Sequence, residues 1–543
     1  MPTQRTTPSQ AAPDPRIRCL LSAAALLAAA LPASAVVTEA EASPASTGGC
    51  AVQPYRQAPD ATLSTSYGLR ADGRSVAVTA YKDVDYAQFA FCESVTVTVS
   101  RLNGAGLSDA TLQPARPDLG AAVDGSTLTF TLTRPGKFVL EIPGGRKLFL
   151  FAKRPDAVPN GPAVHDVRDF GVTTDGRAVA TNTIQQAIDT VGEHGGVLFF
   201  PAGTYRTGTL RMRSGVTLHL ADGALIQGTR NPADYPVDPG WEESDSYGEH
   251  FTFSRLIHFD GVHNAGITGR GVIDGDGKAL RQAGRNSNLI RIADSRNIDI
   301  SGVVLRDSAA WNTHVLGSTN VRIADVEVIN DLTNPNTDGI DVDGSVNVRT
   351  DDTFQYVGDD ALVVKATNNS GLLDNPRNIT FTGNVLYTLK SAMKLGTESL
   401  ASKFTGIRFE DNDVLAADRA MGLVINDGAA YRNIRFSDIR VQNTAHLFEQ
   451  NIGLRKGYDR TPGRIDGVTF ARVTAVGYHP KNNKTTNNKT EWAFHGFDED
   501  HQVSRLTFDH VVVNGSLLTD AETAWKEAML NFGPYVDQVG FKA

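Results

Sequence analysis

Seven aspartates fall between residues 336 and 366, in NTDGIDVDGSVNVRTDDTFQYVGDDALVVKA, a stretch with no glutamate and only two cations, Arg349 and Lys365. Asp338 stands in NTDG, and Asp359 and Asp360 stand in GDDA 21 residues further on. Carboxyls gathered in unequal surroundings can divide acid and base work. One keeps a proton for a leaving oxygen while another activates water, which is the division that glycosidic cleavage needs. Two such groups about 5 Å apart repel by about 3 kcal/mol at an effective dielectric of about 20, enough to raise one pKa by roughly two units. Turn structure or a calcium cluster is the alternative use of the same residues. Asp341 and Asp343 alternate with Ile340 and Val342 and are expected on an outward, solvated or substrate-facing strand face. Asp351 and Asp352 are expected to be structural, near the next corner.

The elements that must position these groups are repeated strands. NIDISGVVL at 297, NVRIADVEV at 320, NVRTDDTFQYV at 347, NITFTGNVL at 378, GIRFEDNDVL at 406 and NIRFSDIRV at 433 start 23, 27, 31, 28 and 27 residues apart. Alternating strands that recur without intervening helices predict a right-handed parallel β-helix. Asp338 and Asp359 should then sit on adjacent coils, and the recurring Asn should ladder at one corner.

Ahead of the repeats, SVAVTAY, SVTVTVSRL, STLTFTLTR, KFVLEI and KLFLFA alternate with period two between Gly- and Pro-containing turns. They predict a small antiparallel β-sandwich over 50–154, then a Pro-rich linker at 155–162 and a β-helix domain over 163–543. The fold class is therefore all-β. TNTIQQAIDTVGEHGG reads as a helix capped by Thr181 or Thr183 and stopped at Gly195, and DAETAWKEAMLNFG as a C-terminal capping helix.

Residues 1–35 place Arg5, Arg16 and Arg18 before a short apolar run ending in Ala33-Ser34-Ala35, the pattern of an export signal cleaved after Ala35. Residues 36–49 read as a flexible leader, and the expected location is extracellular. Losing that signal removes three Arg and one Asp, taking the net charge from −9 to −11. Such a chain has no general attraction for nucleic acid or anionic membranes. Cys50 and Cys92 remain in an oxidising compartment, and either pair as a disulfide or stay as two buried thiols.

The stretch from RDFGVTTDGR to ALIQGT, ITGRGVIDGDG at 267–277, NTDGIDVDGS and GDDALVVKA resemble, in order, the motifs of the polygalacturonase-type glycoside hydrolases of family 28. The resemblance spans about residues 163–440 and implies an inverting hydrolase that needs no cofactor or metal. It implies catalytic roles for Asp338, Asp359 and Asp360, with Asp360 as the acid and Asp338 and Asp359 holding the water. Trp311, Asn312 and His314 match the family's aromatic-Asn-x-His segment. The sandwich followed by a β-helix is similar also to the dextranase and isopullulanase family, whose polymers are neutral.

Two departures bear on substrate. Ser391 lies where the family's Gly-His-Gly motif is expected, and Val424 and Asn426 replace its Arg-x-Lys pair. A charge-assisted bond to a buried uronate carboxylate is worth about 1.5–3 kcal/mol, so losing both donors favours a neutral polymer. Candidate substrate contacts are Asn336, Lys365, Lys394, Glu398, Asn426, Trp311 and His314, with Lys394 able instead to pair with Glu398 or to tune a carboxylate. The expected activity is glycoside hydrolysis of a polysaccharide or oligosaccharide by a monomer. The alternatives are a polygalacturonase gripping its substrate through Lys365, Lys394 or Arg419, a non-catalytic polysaccharide-binding β-helix, and a calcium-dependent lyase. The 236–256 insertion, with Trp241 and Tyr247, could wall off one end of the substrate groove.

Overall fold

The computed structural model describes residues 51–237, 253–367, 371–455, 460–478 and 493–543. The expected export signal and leader, Cys50, most of the 236–256 insertion with Trp241 and Tyr247, and residues 479–492 lie outside the described residues. Cys92 is disulfide-bonded. No described helix is long and apolar enough to cross a membrane.

The period-two sequences become paired strands. Val95–Arg101 buries Val95, Val97 and Val99 and exposes Thr96. Thr127–Leu132 lies antiparallel to it, with Phe130 opposite Val97 and Leu128 opposite Val99. These strands belong to a five-stranded sheet that shares one core with a seven-stranded sheet, including Phe89, Val97, Phe130 and Leu150.

One pair departs from the antiparallel expectation: Lys147–Lys153 runs parallel to Val84–Ala90. Both strands are buried along almost their whole length. One face serves the sandwich core. On the other, Tyr86, Phe149 and Phe151 join Leu225, Val304, Ile329 and Phe354 of the later chain in one apolar cluster. The rings of Phe149 and Phe354 lie 4.7 Å apart. A strand covered on both faces gains from continuous apolar sequence rather than strict alternation. Buried ion pairs accompany this contact: Lys153 Nζ lies 2.6 Å from Glu327 Oε2, and Lys137 Nζ 2.9 Å from Asp325 Oδ1.

From Val164 to Lys542 the strands form one 32-stranded sheet, paired in parallel from coil to coil apart from a short antiparallel turn at Val512–Val513 and Ser516–Leu517. This is the parallel β-helix. Ile298, Val321, Val348, Ile379, Ile407 and Ile434 lie in one file across successive coils, all buried. One residue before each of the first four members stands an Asn with φ between 54 and 58°. Asn tolerates this left-handed geometry better than most residues. Asn320, Asn347 and Asn378 each donate from Nδ2 to the preceding Asn Oδ1, at 3.0, 3.0 and 2.7 Å.

The helix Thr181–Gly192 buries Ile184, Ala187, Ile188 and Val191 on the β-helix core. Its N-terminus is not capped as expected. Thr181 Oγ1 instead accepts from the Gly208 N–H at 2.7 Å, tying the helix to a strand turn. Gly195 ends the helical path in a left-handed conformation, φ 76°, with its N–H bonded to Val191 O. The helix Ala521–Ala528 adds Ala524 and Ala528 to the same core, with Asp520 Oδ1 accepting from Thr523 N at 2.8 Å.

Candidate active site

Asp338 precedes the strand Ile340–Asp343, and Asp359 and Asp360 precede Leu362–Ala366 on the next coil. Ile340 stands opposite Leu362, and the Gly339 N–H bonds Asp360 O at 2.9 Å. The 21-residue spacing is thus one coil, which brings the three side chains to one place. One carboxylate oxygen from each of Asp338, Asp359 and Asp360 lies within 4.8 Å of the other two. Asp338 and Asp360 are buried, and Asp359 is more open.

Their surroundings differ. Asp360 Oδ2 lies 2.7 Å from Lys394 Nζ, and its Oδ1 accepts from the Ser391 N–H at 2.9 Å. Burial alone would raise its pKa, but the Lys394 charge and these hydrogen bonds outweigh burial and hold Asp360 below the ordinary carboxylate range. Lys394 stands between Val363 on the aspartates' coil and Gly422 on the following one, where an added Cβ would lie only 3.3 Å from Lys394 Cγ. Asp359 Oδ1 accepts from the Asp360 N–H at 3.0 Å, and burial followed by the Asp360 charge raises its pKa. Asp338 is raised further, first by burial and then by Asp341, although Lys365 Nζ stands 3.3 Å away.

These surroundings are opposed to the roles implied by resemblance. Asp360, the expected acid, is the carboxylate kept charged by a lysine. Asp359 and Asp338 are the groups whose environment favours a retained proton.

Asp341 and Asp343 point away from the core, yet they are fully buried rather than solvated. Lys365 covers Asp341, its Nζ 3.0 Å from Oδ1, and burial pushes the Asp341 carboxyl up to about 7. Asp343 accepts from the Thr367 N–H and Oγ1, at 2.8 and 2.6 Å, and lies 3.1 Å from His314 Nε2. His314 is thus a buried partner of Asp343, and burial lowers its pKa.

Lys365 is likewise engaged inside the protein. Its ammonium sits among Asp338, Asp341 and Glu398, 3.8 Å from the last, and 3.7 Å from the centre of the Trp311 ring. That cation–π contact and the edge of His314 against Trp311, with ring centres 5.0 Å apart, make Trp311 part of the packing around the lysine. Glu398 also lies 4.0 Å from Arg455 and does not pair with Lys394 among the described contacts.

Asn336 is exposed, and its Oδ1 accepts from Arg281 at 3.0 Å. Asn426 Oδ1 accepts from Asn451 Nδ2 at 3.3 Å. The file beyond Lys394 runs through Gly422 to Glu449, so Gly422, not Val424 or Asn426, is the residue stacked beside the lysine. Ser391, in place of the family's histidine, is buried and serves Asp360 through its backbone.

Sequence reasoning missed Arg281, which donates to Ala309 O, Pro335 O and Asn336 Oδ1. It joins the segment before Trp311 to the one before Asp338, and among the described residues no carboxylate pairs with it. Its place in a short helix directly after the GDG of ITGRGVIDGDG was the available signal.

The aspartate triad offers three carboxylate oxygens to a cation, and two ammonium groups already supply positive charge at Asp338 and Asp360. The triad can therefore do proton chemistry with the charges its own lysines supply.

Residues 201–527 match the profile of glycosyl hydrolases family 28, and residues 164–219 that of rhamnogalacturonase A/epimerase, pectate lyase-like proteins. A probable polygalacturonase of Vitis vinifera is 31% identical over 215 residues, a match covering 36% of this chain and 43% of that protein. The chain thus spans less than half of that relative. The family 28 exopolygalacturonase of Yersinia enterocolitica superposes with a TM-score of 0.53 at 18% identity, over 91% of this chain and 95% of its own. Dex49A from Penicillium minioluteum superposes with a TM-score of 0.61 at 12% identity, over 90% and 96%. These two likenesses extend over nearly the whole chain and concern the fold.

Proposed function

The chain belongs to glycosyl hydrolases family 28, and from that premise we propose that it hydrolyses glycosidic bonds of a polysaccharide at Asp338, Asp359 and Asp360. The observation that carries this reading is the convergence of three carboxyls from adjacent coils with one of them charged by Lys394. Asp359, the most open of the three and raised in pKa, donates a proton to the leaving oxygen. Asp360, kept ionised, takes the proton of the attacking water, and Asp338 accepts or donates a hydrogen bond to hold it.

We take the outcome to be inversion, as the family resemblance implies. The carboxyl oxygens lie closer than the roughly 6.5–9.5 Å usual for inverting pairs, which makes the first-formed anomer an informative observable. Proton NMR during early turnover should show the anomer opposite to the cleaved linkage, and the same anomer would overturn inversion. Activity should persist in chelator without an unsaturated product, whereas dependence on calcium would favour the lyase reading.

The substrate reading is a neutral polymer. Among the described residues, the lysines that contact the acidic cluster are Lys365, beside Asp338, Asp341 and Glu398, and Lys394, beside Asp360. Arg419 is matched by Glu449 and Asp418, and Arg455 by Asp427. A uronate carboxylate brought here would add repulsion to a cluster already rich in negative charge. A second reading, polygalacturonate, is favoured by the name of the Vitis relative and by the guanidinium of Arg281 beside Asn336. Reducing-end release from polygalacturonate against neutral glucans, arabinans and fructans separates the two.

A further inference from the structure

The sandwich touches the β-helix at the coils that carry the aspartates. Its turn Lys82–Asp83, between strands Thr79–Tyr81 and Val84–Ala90, reaches two segments of the later chain. Lys82 Nζ lies 2.7 Å from Asp307 Oδ2 and 3.3 Å from Asp331 Oδ2. Asp83 Oδ2 accepts from the Tyr356 hydroxyl at 2.7 Å. Asp331 opens the loop that leads to Asp338, and Tyr356 lies three residues before Asp359.

The first segment transmits position through a continuous set of bonds. Asp331 Oδ1 accepts from Thr333 N and Oγ1, at 2.9 and 2.6 Å. Asn334 N–H returns to Asp331 O at 3.0 Å, and Thr337 Oγ1 donates to Asn334 O at 2.9 Å. Thr337 O in turn accepts from Asn330 Nδ2 at 3.2 Å, immediately before Asp338. The same loop rests on the second segment. A Cβ at Gly358 would lie within 3.1 Å of Thr337 Oγ1, Asn334 O and Leu332 O, so only a glycine lets the loop pack against the residue preceding Asp359.

We propose that the Lys82–Asp83 turn of the sandwich is a positioning element for the active site, holding the chain ahead of Asp338 and the chain ahead of Asp359 in mutual register. This rests on the hydrolase reading of those aspartates. It gives the sandwich a part in the reaction without contact to substrate. Carboxyls that act together on one bond lose rate steeply when displaced by as little as 1 Å.

The test compares Lys82→Met, Lys82→Arg and Tyr356→Phe in the full chain, on the polysaccharide that the wild type cleaves fastest. Lys82→Met and Tyr356→Phe should lower kcat by about tenfold or more with little change in KM, and Lys82→Arg should restore most of the Lys82→Met loss. Lys137→Met, which breaks the pairs to Asp325 and Asp352 at the same interface, serves as the stability control and should lower Tm with kcat retained. Unchanged kcat in both Lys82→Met and Tyr356→Phe overturns the proposal, as does an equal kcat loss in Lys137→Met. Asp359→Asn is measured in parallel. If it stays active, the hydrolase reading has failed, and if it is inactive while Lys82→Met and Tyr356→Phe are both normal, only the positioning role has failed.

Discussion

Lys394 Nζ stands 2.7 Å from Asp360 Oδ2, and its charge holds that carboxyl below the ordinary carboxylate range. The Asp360 N–H points at Asp359 Oδ1, so the pair share a backbone and differ in their neighbours. The lysine lies on the coil after the aspartates, in the stretch where the family's histidine motif is missing.

Removing that ammonium should raise the Asp360 pKa, because the carboxylate loses its nearest counter-charge while remaining buried. In Lys394→Met the acidic limb of the kcat/KM profile should therefore move to higher pH by about one unit, with a lower plateau. Lys394→Arg should keep the limb near its original place. A Lys394→Met profile superimposable on the wild type would exclude this coupling.

Asp341 offers a test that needs no substrate. Burial places its folded-state pKa at about 7, above an ordinary value of about 3.9. Between those values the folded chain binds a proton that the unfolded chain has released, so this group's stabilisation fades as pH rises from about 4 to 7. Asp341→Asn should change Tm little at pH 4 and raise it relative to wild type at pH 7.5. The same Tm difference at both pH values would show that Asp341 does not titrate in this window.

The interface between sandwich and β-helix contains a fully buried ion pair, Lys153 with Glu327. Glu327→Ala leaves the lysine without its 2.6 Å partner and should lower unfolding free energy by about 3–5 kcal/mol in denaturant titrations. A loss below about 1 kcal/mol, the size of an exposed pair, would mean that Lys153 reaches water or another partner.

Much of the scaffold could be read in the chain because it rests on short-range pattern. The Val95, Val97, Val99 alternation and the Asn297, Asn320, Asn347, Asn378 corner each repeat at a spacing that one strand or one coil imposes. The meeting of Asp338 with Asp359 followed from the same coil length. The burial of Asp341 and Asp343 did not, because alternation tells only that they leave the core, while Lys365, Thr367 and His314 cover them from other coils. The division of labour between Asp359 and Asp360 depends on Lys394, 34 residues on from Asp360, and a sequence motif carries no charge balance. Lys82 lies 249 residues from Asp331, and no periodicity joins a sandwich turn to a distant loop.

In the proposed reaction the aspartate cluster breaks glycosidic bonds with Asp359 supplying the proton. Its most direct test is reducing-end release by wild type and Asp359→Asn across polygalacturonate and neutral polysaccharides, with folding of both checked by Tm. Wild type should cleave at least one polymer, and Asp359→Asn should lose about 10²–10⁴-fold in rate. A folded Asp359→Asn with wild-type rates on the same polymer would contradict it.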